Sequence, residues 1–215
     1  MSAVQGQQGL RAKGLAGLLL LLLAPLAAAE CNLTDVELTD AELSQQMTLS
    51  FKAFDQTPDQ GWRRYYDRGC YSQAAQLLVA YVETHPERAE RYTILLMHTG
   101  QLLAMSGEDD AALPYLRRQR ALEQGKDNPY WDNAAFTDAH IAFLQRDKAA
   151  LIAARDRIAK KQPIPDTSDW PDWMRGKIAN LDVVEGFLHC FDRPFAEAYG
   201  QDCRQGLTPL TDIDL

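Results

Sequence analysis

From Tyr71 to Glu83 the chain reads YSQAAQLLVAYVE, and its apolar positions recur three and four residues apart. Tyr71, Ala74, Ala75, Leu78 and Val82 make one continuous stripe along a helix, closed by Pro86. The same period runs through most of the chain, with Ala, Leu, Gln, Glu and Arg prevailing and no sustained strand-like alternation. The pattern therefore predicts an all-α protein.

A first helix is signalled by TDAE, with Thr39 as N-cap and Glu42 completing a capping box, and it is expected to run to about Ala53. QTPDQG breaks the period, and a short helix follows through WRRYYDR, stopped by Gly69. The helix quoted above begins almost without a loop, so the two must fold back as a hairpin. RYTILLMHTGQLLAMSG and EDDAALPYLRRQRALEQ form a second pair. Asp109 or Asp110 is expected to cap its return helix, with Pro114 near the first turn. NPYWDNAAFTDAHIAFLQR and DKAALIAARDRIAKK form a third pair, with Asp147 as cap. The irregular connector KKQPIPDTSDWPDWM follows, then a shorter pair, KIANLDVVEGFLHCF with RPFAEAYGQDC. Trp131, Trp170 and Trp173 concentrate near that connector and are expected to seal it against the helices, since exposed tryptophans would leave a sizeable apolar patch.

Hairpins in series resemble tetratricopeptide repeats. The residues that carry the likeness are Gly69, Tyr71, Ala74, Leu78 and Pro86 in the first repeat, Gly100 and Gly107 in the second, and Gly186 near the end. The likeness covers roughly residues 56–203. Its turn positions, Gly69, Gly107, Arg146 and Arg193, lie 38, 39 and 47 residues apart, against about 34 in that family. Only the first repeat keeps the closing proline, and two turns carry Arg where Gly is usual. The chain as a whole also resembles exported bacterial proteins of this repeat-like type. The resemblance implies a right-handed α-solenoid of about four hairpins plus an N-terminal helix. It also implies a concave groove that binds a peptide or protein, with Arg63, Tyr66, Met97, Gln101, Phe136 and His140 at the groove positions. Arg63 is the strongest functional candidate, because a buried unpaired guanidinium would be costly.

The compartment is read from the N-terminus. Arg11 and Lys13, an apolar run from Gly14 to Leu23 and a close in PLAAAE form a signal peptide, cleaved after Ala29. The run is short for a membrane anchor. Glu30 before Cys31 does not fit a lipid-attachment signal. The expected organisation is a cleaved segment 1–29, a single helical domain over 30–205 and a loose tail over 206–215. This places the protein in a bacterial periplasm, or secreted, with no membrane association after cleavage. Loss of Arg11 and Lys13 takes the formal net charge from −8 to about −10. Such a chain offers nucleic acid no basic patch.

Cys31, Cys70, Cys190 and Cys203 allow three connectivities in an exported chain. The short loop favours Cys190–Cys203, which leaves Cys31–Cys70. Asn32-Leu-Thr is a formal glycosylation triplet.

Candidate chemistry is sparse. The sequence has no GxSxG, P-loop, GxGxxG or HExxH. His98, His140 and His189 fall on first helices of the pairs, where a shared metal site is conceivable, but Asp138 and His140 are too close in sequence to face one ion. No catalytic residues, metal or cofactor are assigned. The reading is an interaction module for an envelope protein or peptide. The alternatives are a helical enzyme or metal-binding domain built on His98 and His140, and a purely structural envelope component.

Overall fold

A computed structural model describes Cys31 and residues 38–204. The signal-peptide reading of 1–29, the Asn32 triplet and the tail over 206–215 lie outside the described residues. Within them the protein is all-helical. The helices are α1 (Asp40–Met47), α2 (Arg63–Tyr66), α3 (Tyr71–Thr84), α4 (Pro86–Arg91), α5 (Ile94–Met105), α6 (Asp109–Glu123), α7 (Asn133–Leu144), α8 (Lys148–Ile158), α9 (Leu181–His189) and α10 (Phe195–Tyr199).

Local signals set most boundaries. Thr39 Oγ1 accepts from the Glu42 N–H at 3.3 Å, and the Glu42 carboxylate accepts from the Thr39 N–H at 3.1 Å. Asp147 caps α8 by accepting from the Ala150 N–H at 2.9 Å. Two expectations are corrected. The first helix stops at Met47 rather than near Ala53, and a π-helical turn, Lys52–Gln56, follows. Tertiary contacts draw the chain aside there. The Leu49 carbonyl accepts from the Tyr81 hydroxyl and from Arg88, each at 2.9 Å, Phe51 stacks on Tyr92 and Phe54 on Tyr81. At α6 the N-cap is Glu108, with no side-chain cap, and Asp109 and Asp110 lie inside the first turn. There they still favour the positive end of the helix dipole.

Consecutive helices pack as pairs and each pair packs on the next: α3 on α5, α5 with α6, α6 on α7, α7 with α8, α8 on α9, α9 with α10. Gly107 turns α5 into α6 at φ +84°, and Arg146 takes the corresponding left-handed position at φ +57° between α7 and α8. Gly100 permits the close approach of α6, since a Cβ there would stand 2.5 Å from Leu116 Cγ. One continuous core runs from Phe54 to Cys203. Its C-terminal part is aromatic, with Phe143, Phe187 and Phe195 around His140.

Both expected disulfides are present, Cys31–Cys70 and Cys190–Cys203, spanning 39 and 13 residues. They fit an oxidising compartment. No helix of the described residues is long and apolar enough to cross a membrane.

The connector departs from expectation. Trp131 is half-buried, but Trp170 and Trp173 are 46% and 69% exposed. Ile164 does the sealing instead, at 1% exposure.

Candidate functional site

A buried polar cluster gathers around Trp62. The π-helical turn carries Asp55 into the core, where it is fully buried. An ionised carboxylate in that position needs partners. It receives the Trp62 indole N–H at 2.9 Å, His98 Nδ1 at 2.7 Å and the Gln56 amide. Burial alone would raise the Asp55 pKa. The charge and hydrogen bond of His98, the Trp62 N–H and the charge of Arg63 outweigh it and hold the carboxyl below its ordinary value of 3.8.

Three side chains surround the Trp62 ring. His98 lies with its ring 4.9 Å from the indole, Tyr66 meets it edge-on at 5.6 Å, and the Arg63 guanidinium sits over it at 4.5 Å. Arg63 Nε donates to the Asp55 carbonyl oxygen, so the guanidinium is held at two places. Its terminal nitrogens take no hydrogen bond or ion pair among the described residues. Nor does His98 Nε2 or the Tyr66 hydroxyl, and all three residues are half-buried. Burial, with neighbouring Tyr199 and Tyr71, pushes the Tyr66 pKa up to about 12, so its hydroxyl stays a neutral donor.

The six groove candidates divide sharply. Arg63 and Tyr66 are half-buried and reach solvent beside Trp62. Met97, Gln101, Phe136 and His140 are all buried, His140 completely. Over Gln101 and His140 the cover is the chain's own C-terminal part. α10 turns back onto α5, Tyr199 comes within 3.4 Å of Gln101 through its hydroxyl, and Phe187 and Phe195 close over His140. These four side chains pack the interior.

Both nitrogens of His140 are engaged, Nδ1 with the Phe136 carbonyl at 2.8 Å and Nε2 with the Gln101 amide at 3.0 Å. Burial pushes its pKa down from 6.5 to about 4, with the Arg204 charge acting the same way and the Phe136 bond opposing. The folded state thus keeps His140 neutral while the unfolded chain takes up a proton below pH 6.5. Stability from this group is complete above that pH and is lost as pH falls towards 4, by about 3 kcal/mol. Urea unfolding followed from pH 7 to 4 is expected to show this loss in the wild type and a flatter profile in His140→Gln.

Among the described residues no group of three or more His, Cys, Asp or Glu could hold a metal ion. Residue spacing did not reveal Asp55, Trp62 or the orienting of His98. One signal was available: Asp55 lies next to Phe54 in FKAFDQ, where a carboxylate carried onto a buried face must be paired. No family model, curated protein or solved structure matches the chain.

Proposed function

We propose that the protein is an exported tetratricopeptide-like module that binds an envelope protein or peptide at the open end of its inner face, beside Arg63 and Tyr66. The helical pairs would then form a right-handed solenoid. Pairing in series, Gly107 and Arg146 at equivalent turns and the close approach at Gly100 support that arrangement. The disulfides and the N-terminal leader pattern support export to the periplasm.

The observation that carries the binding reading is Arg63. Its guanidinium is oriented by a ring face and a backbone carbonyl, yet its terminal donors serve no fold contact among the described residues. Arginines fixed in this way lose little freedom on pairing and are enriched where binding energy concentrates. The partner would present an acidic group to it, with the Tyr66 hydroxyl beside. Arg120 and Arg157, by contrast, are consumed within the fold by Asp138.

Pull-down from envelope extract with wild type and Arg63→Ala/Tyr66→Ala is the test. A specific partner whose recovery falls about tenfold in the variant is expected, with circular dichroism showing the variant still folded under the assay conditions. Equal recovery by both proteins would overturn the reading.

A further inference from the structure

The connector between α8 and α9 forms a second surface, independent of the Trp62 site. Its neck is closed by two backbone hydrogen bonds, Gly176 N–H to the Ile164 carbonyl at 2.8 Å and Ile164 N–H to the Lys177 carbonyl at 2.9 Å. Ile164 plugs the neck into the protein. The loop beyond, residues 165–175, is braced from within. Ser168 bonds back to Pro165 at 3.1 Å, Met174 to Pro171 at 2.9 Å, and Arg175 Nε reaches the Trp170 carbonyl at 2.9 Å.

This braced loop holds apolar rings out in water. Trp173 is 69% exposed and Trp170 46% exposed, with the half-buried Trp131 ring 5.2 Å from Trp170. Burying an indole is among the larger gains a side chain can make. A chain that spends bracing bonds to keep two of them exposed has not placed them for stability. Their surroundings are acidic. Asp166 and Asp169 are exposed and make no ion pair among the described residues, and Asp172 is held by Arg175 at 2.9 Å. Of the cations in and beside the loop, Arg175 is engaged by Asp172, and Lys177 stands exposed at the neck.

We infer that the Trp170–Trp173 loop, with Asp166 and Asp169, is a docking surface for a lysine- or arginine-bearing peptide segment of a partner protein. Cations are drawn to indole faces, and neighbouring carboxylates pair with them. The acidic chain as a whole favours the same partner and disfavours an anionic lipid surface.

The experiment titrates the full protein with an octalysine amide at about physiological ionic strength, following the heat of binding by calorimetry. Octaglutamate, a linear N-acetylglucosamine tetramer and anionic phospholipid vesicles are the comparison probes. Saturable binding of octalysine is expected, weakened about tenfold by Trp170→Ala/Trp173→Ala and also by Asp166→Asn/Asp169→Asn. All four positions are exposed, so unfolding midpoints should not move. Arg63→Ala/Tyr66→Ala should bind octalysine as the wild type does, so failure of the groove reading leaves this result untouched. Octalysine binding indifferent to the tryptophans would show unspecific charge attraction and overturn the inference. So would no binding, or preference for the sugar or the vesicles.

Discussion

Asp55→Ala is expected to destabilise the protein by about 3–5 kcal/mol, the usual consequence of removing one partner from a buried charged pair. The carboxylate is fully buried and satisfies the Trp62 N–H, His98 Nδ1 and the Gln56 amide at once. Alanine would leave the Trp62 N–H without an acceptor in a buried space and His98 Nδ1 without its charged partner. Asp55→Asn should cost less, because its amide oxygen still accepts one of the two ring N–H groups. The pH dependence has a definite sign. Since the folded carboxyl titrates below 3.8, its contribution is whole above that pH and fades as pH falls below it. The gap between wild type and Asp55→Ala should therefore narrow in acid. Urea midpoints at pH 7 and pH 3, with the slope unchanged, would check both statements. Equal stability of wild type and variant at pH 7 would show that the Trp62 site is not held by this carboxylate.

Phe187→Ala is the second large effect, also about 3–5 kcal/mol. Phe187 is completely buried and touches His140, Phe143, Phe195 and Tyr199, at ring separations of 5.0, 4.9, 5.4 and 6.1 Å. Removing it would leave a cavity that the short helix α10 and the Cys190–Cys203 loop cannot close without moving. The same loss would loosen the cover over Gln101 and His140. Amide exchange should then accelerate in α10 and in the facing part of α7, while α3 remains protected. Phe191, only partly buried and meeting Phe143 edge-on at 5.9 Å, provides the contrast. Phe191→Ala should cost about 1 kcal/mol. A Phe187→Ala loss no larger than that would show that the aromatic cluster is not the anchor of the C-terminal pair.

The groove positions separate what sequence and structure each decide. A helical period at Met97, Gln101, Phe136 and His140 places all four on first helices of the pairs, and they do lie there. Whether that face stays open depends on where α10 goes, and the short helix Phe195–Tyr199 carries no local mark of its destination. Its seat is made by contacts between residues almost a hundred positions apart, as between Gln101 and Tyr199. Trp170 and Trp173 make the same point in reverse. Their apolar character predicts burial, but the neck at Ile164 closes beneath them and leaves them outside.

The helical class, the hairpin order, the Thr39 and Asp147 caps and the favoured disulfide pairing are legible in the residues alone. These follow from periodicity, side chains that bond within one turn, and loop length, all of which are local. That Asp55 meets His98 across 43 residues, that four of the six groove positions are buried and that two tryptophans stand in water emerge from packing between distant parts of the chain. Those outcomes depend on which distant surfaces fill one another's volume, and that competition is settled when the core packs as a whole.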